Sequence, residues 1–321
     1  MPPVNQDFAE PHWANWMLVV EMFVAGIAAG TYLFIVLANL AGGPTKVAAD
    51  EDRRVAARLG LVPLPLMLLV GLLLIVDLGQ PLRFFNIVLR SPFAPERGPL
   101  PFMFNPNSPM NWGTLTIIVF GAFTVVAFLD ALTHGRRSRG LPLVETLSHN
   151  RIWLAIGGLF ALATGAYSGI LINVTNQNVW GDTFLLGALY AAFSALSGMA
   201  VAAIAADRLR AARTAGAARA GLVNFAAVCG VLLVLFVVNL AVAGRASPLL
   251  ATFRELVSPV FWIGVVGAAI AFPLATLLWR PRTARRGFDP GRLAIVGAVV
   301  LVGVLAFRYA ILYSALAAIE G

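Results

Sequence analysis

Charge is scarce in this chain. Only 12% of its 321 residues are Asp, Glu, Lys or Arg, and 60% are hydrophobic, which leaves too little polar surface for a water-soluble domain of this size. Cysteine is almost absent. The single thiol, Cys229, excludes a disulfide framework, a thiolate zinc site and an iron–sulfur cluster held by this chain, and it reads as a small core residue. Histidine is nearly as rare: His12, His134 and His149 all fall outside the long apolar runs, which argues against haem held between histidines at membrane depth. Asp7 and Glu10 precede the first run without any Lys or Arg, so the basic start of a cleaved signal peptide is missing and that run is expected to remain in the mature protein.

Long apolar sequence is what the chain has instead. A helix crosses the hydrocarbon core with roughly 20 apolar residues. Eight runs meet that length, at about 15–41, 59–79, 111–133, 152–173, 184–206, 222–244, 259–279 and 293–317. They are continuously apolar rather than alternating over about ten residues, which excludes a transmembrane β-barrel. The fold class expected is an all-α integral membrane protein. Residues 1–321 form one membrane domain of eight transmembrane helices, expected to group into two four-helix bundles.

Basic residues set the topology. The segments after spans 1, 3, 5 and 7 hold 17 of the 23 Lys and Arg residues, from Lys46 to Arg58, Arg136 to Arg151, Arg208 to Arg219 and Arg280 to Arg292. The opposite side holds Arg83, Arg90, Arg97, Arg245 and Arg254, and Arg308 lies within span 8. By the positive-inside rule the crowded side faces the cytoplasm, so both termini lie outside and the location is a cell's inner, cytoplasmic membrane. The net charge of +8 is therefore a topology signal and not a nucleic-acid footprint.

Against this background two carboxylates stand out. Glu21 in span 1 and Asp77 at the end of span 2 lie in apolar sequence, where an ionisable group costs roughly 2.5 to 3.5 kcal/mol and is read by default as a proton, ion or ligand site. Helix geometry puts both in the outer third of the membrane, together with Tyr167, Ser168 and Asn173 of span 4, while Asn239 of span 6 and Arg308 fall outward of or near the midplane. Asp77 has local cations in Arg83 and Arg308 and is open to a reading as simple charge neutralisation. Glu21 has no cation near it in sequence, and a desolvated carboxyl is suited to exchanging protons at working pH. Asp130 at the inner end of span 3 is expected to reach the basic interface, and His134 and His149 are expected in a solvated loop.

Small residues recur beside these groups: Gly26, Ala28, Ala29 and Gly30 in span 1, and Gly165 and Gly169 around Tyr167, a pattern that lets helices approach closely. The 80–110 segment carries seven prolines and five phenylalanines, which reads as an ordered outer lid or docking surface and not as a linker. Trp13, Trp16, Trp112, Trp180 and Trp262 are expected to mark the outer interface, Trp153 and Trp279 the inner one.

At these same residues the chain resembles the NrfD/PsrC family, the polysulfide-reductase-type membrane subunits of multi-subunit oxidoreductases. The resemblance covers nearly the whole chain. It rests on Ala25-Gly-Ile-Ala-Ala-Gly-Thr-Tyr-Leu33 after Glu21, Asp77-Leu-Gly-Gln-Pro-Leu-Arg-Phe-Phe85, Asn105-Pro-Asn-Ser-Pro-Met-Asn-Trp-Gly113, and Thr164-Gly-Ala-Tyr-Ser-Gly-Ile-Leu171 with Trp180 beyond. It implies a haem-free, eight-helix subunit that binds a quinone, menaquinone or ubiquinone, near the outer face within the first four helices. It also implies docking to an extracytoplasmic ferredoxin-like subunit with four-iron–four-sulfur clusters, which in turn contacts a molybdopterin-type catalytic subunit.

On that reading the chain is a non-autonomous, quinone-reactive membrane anchor. Glu21, Tyr167, Ser168, Asp77 and Asn239 are the expected quinone-binding residues. Glu21, Asp77 and Arg308 are expected to handle protons and set the local field, and no metal is expected on this chain. The rival readings are a proton- or sodium-coupled secondary transporter, whose internal repeats and broken helices are not evident here, and a purely structural anchor.

Overall fold

The computed structural model describes residues 15–41, 46–77, 107–133, 141–175, 180–181, 183–242, 259–278 and 290–317. They form ten helices: α1 (Trp16–Ala41), α2 (Lys46–Gly60), α3 (Pro63–Asp77), α4 (Pro109–Thr133), α5 (Pro142–His149), α6 (Arg151–Asn173), α7 (Leu186–Arg208), α8 (Ala212–Val242), α9 (Val260–Leu278) and α10 (Pro290–Ala317). Together they make eight spans long and apolar enough to cross a membrane, α2 and α3 contributing one between them. The protein is thus all-helical over the described residues and multi-pass. The 80–110 segment, apart from its last few residues, lies outside them, as do Trp13, Trp279, His12 and His134.

Two helices go beyond the apolar pattern. The 59–79 run does not begin its own helix, because Pro63 lacks an N–H and disfavours helical geometry in the residue before it, so the chain turns at Leu61 and Val62. Ahead of that turn, α2 is amphipathic: Val55, Ala56 and Leu59 are buried while Arg54 and Arg58 are exposed. The second is α5, a short helix that carries His149 where a loop was expected. Asn150 divides it from α6 and caps the latter, its side chain accepting from the backbone N–H of Ile152 at 2.9 Å and Trp153 at 3.1 Å.

The start of α8 also differs, ten residues before the apolar run at 222. The segment from Ala212 to Ala220 is rich in alanine, a strong helix former that hydropathy alone does not single out. The carboxylate of Glu51 on α2 fixes its first turn by accepting from the N–H groups of Arg213 at 2.9 Å and Thr214 at 3.3 Å. At the same face, Arg219 and Arg292 donate to the last carbonyls of α9, those of Leu277 and Thr276. We call this the basic face and its opposite, where α1 begins, the terminal face. Helix α9 is wound as a π-helix from Val260 to Ala271 and becomes α-helical at Phe272, next to Pro273, which has no N–H to give.

Packing centres on α1 and α7, which lie against each other. Helices α3 and α6 adjoin α1, and α6, α8 and α10 adjoin α7. Small residues set the α1–α7 distance: a Cβ on Gly30 would stand 1.8 Å from the backbone oxygen of Ser194, and one on Gly198 would stand 1.9 Å from the oxygen of Gly30. Gly165 and Gly169 let α6 approach α7 in the same way, next to Ser194 and Leu186. Outward-facing positions are apolar, such as Leu68 and Leu72 on α3 and Val231 and Val234 on α8, as a lipid-facing surface requires.

Backbone oxygens lack the freedom of a rotatable side group to retreat. Gly198→Val is therefore expected to destabilise the fold by about 3 kcal/mol or more, whereas Gly71→Ala, which meets nothing within 4 Å, leaves it unchanged. Elution profiles of detergent-solubilised protein after a heating series would read this; equal melting of the two variants would contradict the packing described.

Candidate functional site at the terminal face

Glu21 lies five residues into α1, about 8 Å along the axis from Trp16 at 1.5 Å per residue. It is 6% exposed, and Met22 behind it is 1% exposed. Asp77 ends α3 level with the start of α1. Asn15, just before α1, shows this directly, since its amide nitrogen donates to Asp77 Oδ1 at 2.8 Å while its own Oδ1 accepts from the N–H groups of Met17 and Leu18. One asparagine thus caps α1 and ties it to the end of α3. Among the described residues Asp77 takes a neutral amide as its partner; Arg83, one of the two cations open to it on the sequence, lies outside them.

Arg308 on α10 is fully buried, and its seat is built mostly by α7. Nη2 donates to the backbone oxygen of Tyr190 at 3.2 Å and to Ser194 Oγ at 2.9 Å, and the guanidinium stands 4.0 Å from the centre of the Tyr190 ring. Beside it Phe307 and Phe193 stack at 3.9 Å and nearly parallel, the Phe307 ring 5.4 Å from the guanidinium. Gly26 of α1 leaves room for the guanidinium, since a Cβ there would be 2.9 Å from Nη2. Arg308 Nε and Nη1 are buried without a hydrogen-bond partner among the described residues.

The charges of Glu21 and Arg308 lie within range of each other, and Glu21 also feels Asp77. Arg308 does not clasp Glu21, however, because Nη2 is directed at Ser194 and Tyr190. Attraction at such a separation still counts in a low-dielectric interior. Tyr167 on α6 and Tyr190 on α7 lie in the same field, both interacting with the Glu21 charge. The Tyr167 ring lies flat against α4 at Gly113, where a Cβ would meet it at 1.8 Å, so its place is set by the missing side chain. Ser168, 5% exposed, follows on the buried side of α6.

The structure therefore gathers Glu21, Asp77, Arg308 and Tyr167 at the terminal end of the bundle. Asn239 is not joined to them: it sits on α8, which packs on α7 and α9 and away from α1, and its Oδ1 is buried without a partner among the described residues. Asn173 has a structural task, its amide donating to the backbone oxygens of Trp180 at 2.7 Å and of Thr183, which closes the turn after α6. Trp180 is not an interfacial residue. It is fully buried and its indole N–H donates to the Ile311 oxygen of α10 at 2.7 Å, whereas Trp16, Trp112 and Trp262 are half exposed or more, as belt residues are.

Helix α7 supplies what sequence reading missed. Tyr190, Ser194 and Ser197 recur at helical spacing in an otherwise apolar stretch, which is the signal that was present. Ser197 Oγ bonds the oxygens of Gly26 and Ser194, and the Tyr190 hydroxyl reaches Met22 Sδ at 3.7 Å. At the basic face a separate hollow is lined by Tyr32, Asn39, Asp130, Ser148 and His149. There Asp130 accepts from Ser148 Oγ of α5 at 3.0 Å, and the His149 ring nitrogen meets Ser148 Oγ and the Glu145 oxygen. Among the described residues no group of three or more His, Cys, Asp or Glu side chains is placed to hold a metal ion.

Comparison with known proteins agrees with this architecture. A family model described as polysulphide reductase, NrfD, matches residues 4–320. The C subunit of the polysulfide reductase of Wolinella succinogenes is 23% identical over 315 residues, an alignment that covers 94% of this chain and 93% of that protein. With eight candidate spans and a match to the family model over almost its full length, the chain belongs to the NrfD polysulphide reductase family of multi-pass membrane subunits.

Proposed function

We propose that this chain is the membrane anchor and quinone- or quinol-reactive subunit of a multi-subunit oxidoreductase, its terminal face being extracytoplasmic. The observation that carries the reading is the group of buried Glu21 and Arg308 with the half-buried Tyr167 toward one end of the bundle. A quinone needs hydrogen-bond donors at its two oxygens, a proton exchanger and a flat apolar slot. Buried polar atoms left over among the described residues, at Arg308 Nε and Nη1, are donors of the kind required. Tyr167, lying flat on Gly113, offers both an apolar face and a hydroxyl.

A quinone bound there would supply two-electron, two-proton redox chemistry. Tyr167 would hold one oxygen by its hydroxyl proton. Glu21 would give or take a proton at its carboxyl, and the Arg308 charge would lower the cost of carrying that carboxyl as an anion away from water. Asp77, fixed by Asn15, would hold the ends of α1 and α3 together and add to the local field without touching the reacting atoms. Ser168 would line the buried side of the same helix. Neither Cys229 nor the three histidines supply a ligand set for an electron carrier, so electrons would pass through a partner. The partner we propose is a ferredoxin-like subunit with four-iron–four-sulfur clusters, docked on the terminal face beside the 80–110 segment and backed by a molybdopterin-type catalytic subunit.

In the intact complex Glu21→Gln is expected to lower quinol-linked turnover about 100-fold, the low end of what a positioned proton carrier contributes. Asp77→Asn, whose amide oxygen can still accept from Asn15, is expected to change it less than threefold. Wild-type turnover in Glu21→Gln would refute the proton role. Tyr167→Phe removes one hydrogen bond worth about 1 kcal/mol, so the quinone KM should rise about fivefold with kcat little changed. Purification without any iron–sulfur partner would refute the assembly.

A further inference from the structure

At the basic face two grooves flank the first turns of α8. One, of about 360 Å³, runs between α8, α1 and α7, with walls of Phe34, Leu37, Met199 and Phe225. The other, of about 440 Å³, lies between α8 and the end of α9 at Leu277 and Leu278. They share an edge, Ala220 and Asn224, so the α8 surface between them is a narrow ridge with a hollow on either side. Each hollow carries one arginine toward the basic face, Arg213 in the first and Arg219 in the second.

Three features show that this is more than a lipid-facing irregularity. Thr214 lines the first groove, is 2% exposed, and its hydroxyl oxygen is buried without a hydrogen-bond partner among the described residues. A hydroxyl taken from water is ordinarily paired, and this one lines the groove with no partner among the described residues. Asn224 is exposed on the ridge where α8 enters its apolar stretch, and it presents an amide to a region otherwise suited to hydrocarbon. Helical side chains lean toward the helix N-terminus, which carries that amide back over Ala220 toward the basic face. Finally, Gly216, Ala217 and Ala220 keep the ridge low, and a Cβ on Gly216 would meet nothing within 4 Å.

The helix terminus itself is not the attraction. Glu51 already accepts from the N–H groups of Arg213 and Thr214, so an anion here would be held by side chains. Positive charge predominates nonetheless, with Arg208, Arg210, Arg213 and Arg219 clustered around the α7–α8 turn. Two apolar hollows on either side of one polar ridge match the form of a diacyl lipid, and the arginines match a phosphate.

We propose that an anionic diacyl phospholipid of the basic-face leaflet is bound across this ridge, with one acyl tail in each groove. Its phosphate lies between Arg213 and Arg219 and accepts from the Thr214 hydroxyl, and a glycerol ester carbonyl accepts from the Asn224 amide. The site is independent of the chemistry at the terminal face. Its consequence is mechanical: one lipid spans α1, α7, α8 and α9 at that end and adds to the contacts they already make.

The test is native mass spectrometry with phosphorus analysis of the complex purified in mild detergent, followed by delipidation and readdition of phosphatidylglycerol or phosphatidylcholine vesicles. Wild type is expected to retain about one anionic phospholipid per protein molecule and to recover melting temperature with phosphatidylglycerol only. Arg213→Gln with Asn224→Leu should lower retention at least tenfold. Ala217→Phe fills the groove at an exposed position without altering charge and should do the same, so it carries the test if the double variant does not fold. Retention unchanged in Ala217→Phe, equal retention of phosphatidylcholine, or a wild type holding no stoichiometric phospholipid would each overturn the proposal.

Discussion

The backbone contact between α1 and α7 is the constraint from which the rest follows. Gly30 and Gly198 let a carbonyl oxygen of the opposite helix occupy the space that a Cβ would need. No hydrophobic effect drives helices together inside a membrane, so close packing and polar contacts between helices must do it. That approach is close enough for Ser197 of α7 to bond the Gly26 oxygen of α1. It also sets Tyr190 and Ser194 facing inward, where they become the seat of Arg308. The site at the terminal face is thus an outgrowth of a packing decision made nearer the middle of the bundle.

The same economy is visible at the helix ends. Asn15 caps α1 and holds Asp77, Glu51 of α2 caps α8, and Arg219 and Arg292 close α9. In each case a side chain from one segment satisfies the unpaired backbone or carboxylate of another, which is how ends near a membrane boundary avoid exposing polar groups to hydrocarbon. These bonds also fix the relative heights of neighbouring helices. A carboxylate placed by such a bond, as Asp77 is, can be structurally required and still shape the electrostatics of Glu21 next to it.

How much of this was legible in the sequence depended on which physical signal carried it. Eight crossings, and an Asp77 near the end of the bundle where α1 begins, followed from apolar run length and the 1.5 Å rise, because a membrane leaves a polypeptide few alternatives. The early start of α8 and the amphipathic α2 escaped because hydropathy reports only the part of a helix that lies in lipid. The bonds of Asn173 went unseen and Trp180 was misassigned for a different reason. Their partners, the Thr183 and Ile311 oxygens, are backbone atoms, and backbone partners leave no trace in composition. Arg308 stood out as a charge in span 8, but its seat on Tyr190 and Ser194 is a contact across 118 and 114 residues that only the fold displays.

The Arg308 arrangement also bears on why the two charges are buried at all. Were neutralisation their only purpose, contact would be the favourable geometry, since a buried pair offsets its desolvation only when attraction is strong and remaining donors are satisfied. Instead the guanidinium uses Nη2 on Ser194 and Tyr190, lays its face on an aromatic ring, and keeps Nε and Nη1 without partners among the described residues. Glu21 feels the charge without being clasped. A carboxyl held in this way can change its protonation without breaking a bond to the arginine, whereas one locked in a bidentate pair could not. The separation that makes the pair a poor stabiliser is therefore what leaves the Glu21 carboxyl without a bond to the arginine.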